Sequence, residues 1–403
     1  MRILILAPYL TRDQAGAGQS TLTFANSLAK EPWTDVTLYT YAWDHQLLHD
    51  RIHVIEGSGR RPPPFFWRFP TLYRVRQMQS DMLRKRIPIA DVVYTQNMYM
   101  AIAYRRIHPH VPIVSHTGAV VTAREIREEW SSDRWACSIE AALADSLEAS
   151  SYAEPNWTHI VSTPLVAEAR VNHFRLATDF FRVCPLGVDP RRFRSTTGGA
   201  VVRAQLGIPQ DAFLLITTAR LIAWKRIDLV LDALHDLPER VWYLIVGDGS
   251  QRPELHEKSE ELGVAGRVRF SGWQDPAPYL AAANVFALLS RIESFGLVYV
   301  EAMMAGLPCI GSRHRPPDVL STASSIIPEN EAGYTVDSVE EFRDRVLRLM
   351  ADPPLYGRMS DNARRIANEQ YSTDNYLRDF KQCLSQDFGL SEMEVGRGVP
   401  DFA

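Results

Sequence analysis

Short apolar runs bounded by turns alternate with helical patterns along nearly the whole chain, and the alternation restarts once. The first series of predicted strands is Ile3–Ala7, Val36–Tyr41, Val92–Thr95, Ile113–His116, His159–Thr163 and Arg182–Leu186. The second is Phe213–Ala219, Val241–Gly247, Val268–Gly272, Val285–Ser290 and Cys309–Gly311, with helices near Arg226–His235, Arg252–Leu262, Ser294–Ala305 and Val339–Met350. Strands rich in Val, Ile and Leu that alternate with helices are buried on both faces, which predicts parallel sheets. A chain of 403 residues exceeds what one hydrophobic core organises, so two doubly wound α/β domains are expected. Pro185–Pro190, the arginines Arg191, Arg192 and Arg194, and the run Ser195–Gly199 have linker composition. The predicted division is residues 1–194, residues 195–371, and a C-terminal helix and tail over 372–403 that packs back on the first domain.

Composition matters here for what it excludes. The formal net charge of −4 supplies no global basic field for nucleic acid. The apolar start, Ile3 to Ala7, is cut by Pro8, Arg12 and Asp13, too early for a signal-peptide core. The longest later apolar runs are interrupted by Asn284, Arg291, Glu293 and Glu301, short of the roughly 18 residues a membrane-spanning helix needs. Cys137, Cys184, Cys309 and Cys383 lie far apart, without metal-site or disulfide-scaffold spacing. A cytoplasmic protein is expected.

In open α/β sheets, ligands collect where strands give way to helices. The densest such place is Arg291-Ile-Glu293-Ser-Phe-Gly296-Leu-Val-Tyr-Val-Glu301, directly after the strand at Val285. Ser294 to Leu297 are read as the first turn of a helix, whose unpaired N–H groups suit a phosphate. Glu293 and Glu301 would repel that phosphate unless they accept hydrogen bonds from ligand hydroxyls while cations meet the charge. Arg220 and Lys225, in Thr218-Ala-Arg220-Leu-Ile-Ala-Trp-Lys225, follow the second series' first strand and are the matching cations. The plainer readings are surface helix acids and a solvated pair at a helix start.

The run ESFGLVYVEAMMAGLPCIGS, with Thr218–Lys225, Val246-Gly-Asp-Gly249, Phe270-Ser-Gly-Trp273 and Val183–Phe193, resembles the retaining glycosyltransferases of family four. That resemblance implies the GT-B fold, two facing Rossmann-like domains with a deep interdomain cleft. It implies transfer from a nucleoside-diphosphate sugar, with a UDP-sugar expected, to an acceptor hydroxyl of a saccharide, lipid-linked or secondary-metabolite compound. No permanently bound cofactor is implied. Arg220 and Lys225 would hold the diphosphate, Glu293 the sugar hydroxyls and Glu301 the ribose, with Ser294, Phe295, Gly296 and Leu297 lending backbone. Gly16 and Gly18, in the loop before a helix predicted at Ser20–Ala29, would approach donor phosphate or sugar. His116 resembles the family's cleft histidine, although an ordinary strand-end histidine fits equally well.

The family's usual Lys-Gly is Lys225-Arg226 here, and its Gly-Arg-Leu is Ala219-Arg220-Leu221; neither change removes a cation. No Asp-x-Asp occurs, so a metal-independent reaction is expected; the resemblance implies front-face substitution in which the leaving phosphate takes the acceptor proton. Glu293 as nucleophile is the variant reading. Trp273 reads as a core aromatic, with a place beside the nucleotide base as the alternative. Residues 60–86 mix Arg60, Arg61, Arg68, Arg74, Arg76, Arg84, Lys85 and Arg86 with Phe65, Phe66, Trp67, Phe69 and Tyr73, a composition that suits an anionic membrane surface or acidic acceptor and equally a solvated helix preceded by a loop whose aromatics pack inward. The acid-rich Glu125–Glu148 suits a cationic acceptor or a solvated face. A nucleotide-sugar 2-epimerase or sugar phosphorylase on the same fold is the alternative enzyme, and a non-catalytic sugar-binding module the alternative outside enzymes.

Overall fold

A computed structural model of the chain describes residues 1–10, 16–58, 70–117, 134–194 and 198–390. It divides into two compact units: residues 1–187 with 373–403, and residues 188–372. The crossing points are thus Gly187/Val188 and Ser372/Thr373, and the second lies at a sharp boundary between two helices.

The first unit runs β1 (Arg2–Leu6), α1 (Ala17–Lys30), β2 (Asp35–Thr40), β3 (Ile52–Glu56), α2 (Pro70–Arg84), β4 (Val92–Thr95), α3 (Met98–Arg105), β5 (Ile113–Thr117), α4 (Arg134–Ser151), β6 (Trp157–Val161), α5 (Pro164–Phe174) and β7 (Arg182–Val183). Its parallel sheet has the order β3-β2-β1-β4-β5-β6-β7. Ile3 to Leu6 of β1, paired with Val36 to Tyr39 on one side and Val92 to Thr95 on the other, are fully buried. One core layer joins Leu4, Leu6 and Val93 to Val75, Met78 and Met82 of α2 and to Met100 and Tyr104 of α3. Asn97 caps α3, accepting from Met100 N at 3.0 Å.

The second unit runs α6 (Gly199–Gln205), β8 (Phe213–Thr218), α7 (Ile227–Asp236), β9 (Val241–Val246), α8 (Arg252–Glu261), β10 (Val268–Gly272), α9 (Pro276–Leu280), β11 (Val285–Leu288), β12 (Ile292–Glu293), α10 (Leu297–Met304), β13 (Cys309–Ser312), β14 (Leu320–Ser321), α11 (Ala323–Ile326), β15 (Gly333–Val336), α12 (Val339–Ala351) and α13 (Pro353–Tyr371). Its main sheet, β10-β9-β8-β11-β13-β15, is also parallel, with β12 and β14 forming a short pair beside it. Leu215, Tyr243 and Val285 from the strands pack with Val230, Leu231 and Leu234 of α7 and Phe342 of α12.

The last helix, α14 (Thr373–Phe388), belongs to the first unit because its apolar face is buried there. Phe380 meets Phe24 of α1 edge-on at 5.0 Å between ring centroids, and Tyr376 lies 4.8 Å from the same ring. The two-residue pair β12 and β14 carries no strand signal in the sequence, and two strands of the main sheets, β3 and β15, carry no clear one. Both are edge strands, β3 half exposed with His53 and Glu56 outward, and β15 opened by a glycine. Trp273, expected in a core, is instead 51% exposed, because β10 ends at Gly272 with φ 71° and turns the next side chain outward.

Candidate functional site

In the second unit, three strand ends bring the sequence-selected residues together. After β8 the chain passes through Ala219 and Arg220, makes a single 3₁₀ turn over Ala223–Lys225, and enters α7 through Arg226, whose φ of 45° is left-handed. After β11 it passes Ser290 and Arg291, forms β12, and turns at Gly296 into α10. Backbone and side-chain bonds lace the two loops: Arg291 N donates to Trp224 O at 2.7 Å, and Arg226 Nε donates to Leu289 O at 3.0 Å. Lys225 Nζ donates to Glu293 Oε2 at 2.6 Å, an ion pair in which both side chains are largely buried, and Ser290 Oγ reaches the same oxygen at 3.4 Å. Glu293 is therefore clamped at its carboxylate and also at its carbonyl, which accepts from Thr322 N and Thr322 Oγ1 at 3.1 and 3.2 Å.

Gly296, not Ser294, opens the helix. Its φ of 77° suits glycine, and a Cβ there would sit 2.6 Å from the Tyr299 ring and 3.3 Å from Glu293 Cγ. The expected first turn at Ser294–Leu297 is corrected accordingly: the free first-turn N–H groups start at Leu297, while Ser294 and Phe295 lie in the preceding turn. No side chain caps this helix, so the positive end of its dipole is open to an anion. Glu301 follows on α10, buried and without a side-chain hydrogen bond among the described residues. Burial raises its carboxyl to about 7, with Arg192 pulling down and Asp275 pushing up.

Arg220 is exposed and makes no ion pair among the described residues. Its loop is held by the neighbouring strand end: Leu221 N donates to Asp248 O at 3.0 Å and Gln251 N to Leu221 O at 2.9 Å. Gly247 and Gly249 make that approach feasible, since a Cβ on either would lie 1.9 Å from Ala219 O or 2.4 Å from Leu221 O. The geometry gives these two glycines a packing role.

In the first unit, His116 lies on β5, 2% exposed, and burial lowers its imidazole to about 3. Its Nδ1 is 2.6 Å from Tyr376 Oη on α14, while its Nε2 is buried with no partner among the described residues. Gly16 adopts φ 67° at the start of α1, and Gly18 lies within that helix's first turn, so the helix begins three residues before the predicted Ser20. The loop residues 11–15 lie outside the described residues, as do 59–69, 118–133 and 391–403.

Sequence reasoning missed Ser290, Thr322, Arg226 and Tyr376. The first two are buried hydroxyl residues that look like ordinary strand-end polar positions, and Tyr376 is remote in sequence from the histidine it touches. Among the described residues no group of three or more His, Cys, Asp or Glu could hold a metal ion, and no helix is long and apolar enough to cross a membrane.

Residues 200–366 match the family model described as glycosyl transferases group 1. The chain is 34% identical over 186 residues to the lipopolysaccharide core biosynthesis glycosyltransferase LpsE of Rhizobium meliloti (strain 1021), covering 44% of this chain and 53% of that protein. It is 33% identical over 225 residues to the D-inositol 3-phosphate glycosyltransferase of Streptomyces avermitilis, covering 52% of this chain and 47% of the relative. The chain thus spans about half the length of the curated relatives it matches. Over 95% of this chain and 99% of the other, the fold superposes on Anabaena Alr3699/HepE, crystallised with UDP and glucose, at a TM-score of 0.72 and 20% identity. The architecture is GT-B, two Rossmann-like domains, as the resemblance implied.

Proposed function

We propose that this chain is a group 1 glycosyltransferase that moves a sugar from a nucleoside-diphosphate sugar, a UDP-sugar first, to an acceptor hydroxyl with retention at the anomeric carbon. The observation that carries the reading is one constellation in the second unit. The Lys225–Glu293 pair, the uncapped start of α10 and the buried Glu301 are fixed on adjoining strand ends. Such a set can receive a diphosphate, a hexose and a ribose together. The group 1 match over residues 200–366 contains all of these residues, and the HepE complex with UDP and glucose supports the donor class.

In this reading Lys225 has three N–H donors, one engaged by Glu293, leaving two for the β-phosphate; Arg220, unpaired and exposed, supplies the second cation. The N–H groups at Leu297 and Val298 complete the counter-charge, so the departing diphosphate is stabilised without a divalent ion. Glu293 accepts from sugar hydroxyls and Glu301 from ribose hydroxyls. His116, Gly16 and Gly18 serve the sugar and phosphate from the first unit. Charge growing on the leaving phosphate draws the acceptor proton as the new bond forms on the same face.

The acceptor is a saccharide or polyol hydroxyl, in keeping with the activities named for LpsE and the inositol-phosphate enzyme. Arg74, Arg76, Arg84, Lys85 and Arg86 are exposed on and after α2, beside Leu83 and Ile89 at 56% and 58% exposure. That face suits peripheral contact with an anionic membrane surface. Cys184, Cys309 and Cys383 are free and buried, which fits a reducing, cytoplasmic setting.

The test is a thermal-shift series with UDP, GDP, ADP and dTDP and their common sugars, followed by transfer assays with the donor that binds. A shift with UDP-sugars, and turnover that persists in chelator, is the expected result. No shift with any nucleotide, or turnover that needs magnesium or manganese, would overturn the proposal.

A further inference from the structure

Around His116 runs a line of polar groups, buried except at its Gln96 end, whose protons can be counted. The Gln96 amide nitrogen faces Tyr94 Oη at 3.0 Å and Ser20 Oγ at 2.9 Å. Tyr94 Oη and Tyr376 Oη are 2.6 Å apart, and Tyr376 Oη is 2.6 Å from His116 Nδ1. Tyr94 Oη lies 3.4 Å from the same nitrogen, too long to replace the Tyr376 contact.

Each hydroxyl has one proton to give. Gln96 Nε2 can only donate, so Tyr94 Oη accepts there and is free to donate to Tyr376, which in turn donates to His116 Nδ1. Every hydroxyl is then satisfied, and the Nε2–H group alone lacks a partner among the described residues. The opposite direction fails: a proton on Nδ1 would point at Tyr376, Tyr376 would donate to Tyr94, and the Tyr94 hydroxyl would receive two donors with no acceptor for its own proton. Tyr94 and Tyr376 are deeply buried, and an unmade bond of that kind is costly.

We infer that Gln96, Tyr94 and Tyr376 form a one-way hydrogen-bond relay that fixes neutral His116 as the Nε2–H tautomer, presenting a hydrogen-bond donor, not a base, to the oxygen of a bound ligand. Two independent facts meet in this: the direction imposed by the amide, and the buried Nε2 left without a partner among the described residues. Burial keeps the imidazole uncharged, so the tautomer, and not protonation, decides what the ring offers. Tyr376 is a positioning residue supplied by α14, which gives that helix a task beyond packing. The ligand-facing part rests on the glycosyltransferase reading; the tautomer does not.

The experiment is long-range proton–nitrogen NMR of the full chain labelled at histidine, comparing wild type with Gln96→Glu and Tyr376→Phe. The carboxylate introduced by Gln96→Glu would accept from Tyr94 and reverse the line, so the His116 proton is expected to move from Nε2 in the wild type to Nδ1 in that variant. Tyr376→Phe is expected to give a mixture. Gln96 is only partly buried, so its variant keeps the test alive if Tyr376→Phe fails to fold. A wild-type proton on Nδ1, or a tautomer unmoved in Gln96→Glu, would overturn the relay. With UDP-glucose as probe, Gln96→Glu is expected to lower kcat/KM about tenfold while UDP affinity stays unchanged, as loss of one hydrogen bond to the sugar would. A flipped tautomer with unaltered kcat/KM would overturn the ligand-facing role, and absence of any transfer by the wild type would sink the functional reading while leaving the NMR result standing.

Discussion

The two units handle their key side chains differently. In the second unit, Lys225 and Glu293 follow two neighbouring strands, β8 and β11, and although 68 residues separate them in sequence, the bonds that hold them come from those two strand-end loops and from Thr322 just after β14. In the first unit, His116 is held by Tyr376, brought from the far end of the chain by α14. Local bonds make the second unit's site a self-contained piece, and the histidine's setting depends on how the chain closes. Damage to the first should therefore be felt at single residues, and damage to the second should travel along a line of partners.

The largest expected effect is Lys225→Ala, with kcat falling by about 10²–10³ if, as proposed above, it removes one counter-charge to a leaving diphosphate. It also strands a buried carboxylate, at about 3 kcal/mol in stability. Lys225→Met with Glu293→Gln should regain most of that stability in a denaturant titration and none of the kcat. A double variant with restored turnover would show the pair to be structural and would erase the contrast between the units.

Next is Glu301→Gln. Since burial raises the folded carboxyl to about 7 from the ordinary value of 4.5, the native state binds this proton more tightly than the unfolded chain. Wild-type stability therefore falls as pH rises from 4.5 to 7, and the glutamine variant should gain on it through that window, by up to about 2–3 kcal/mol above pH 7. In the function proposed above, ribose hydroxyls favour the Glu301 carboxylate, so that reading requires UDP affinity to tighten between pH 6 and 8 in the wild type beyond whatever change the variant shows. Calorimetric titrations at the two pH values decide it.

Vesicle co-sedimentation sharpens the first unit's side of the comparison. Binding to anionic vesicles should drop about tenfold or more in Lys85→Glu/Arg86→Glu, while neutral vesicles bind neither protein. Equal binding to both vesicle types would remove lipid as the partner of α2. The smallest effect is Arg226→Gly: relief of the left-handed backbone offsets loss of the bond to Leu289 O, so thermal stability should move by less than about 1 kcal/mol.

How much of this is legible in the sequence follows the same division. The parallel strands of both sheets are readable because their apolar runs are continuous; β3 escapes because exposed His53 and Glu56 break its run, and β15 because it is only four residues long and opens at Gly333. The Glu293–Glu301 spacing marks the strand-end turn, yet the helix start slips from Ser294 to Leu297, since the left-handed Gly296 that begins it is a backbone decision set by Tyr299 and Glu293 packing. The Lys225–Glu293 contact itself leaves no mark in the sequence, where the two residues read as serving different parts of a ligand. Nothing in the order of residues joins His116 to Tyr376, because that contact is a product of how α14 packs on Phe24.

Val188 and Ser372 form a parallel bridge, and Val188 N donates to Tyr371 O at 2.8 Å. The second unit therefore begins and finishes at one spot, like a cartridge slotted into an interrupted host. A gene segment for residues 188–372 has ends that are already stitched together, so segments from relatives can be grafted at this seam with a single short splice on each side.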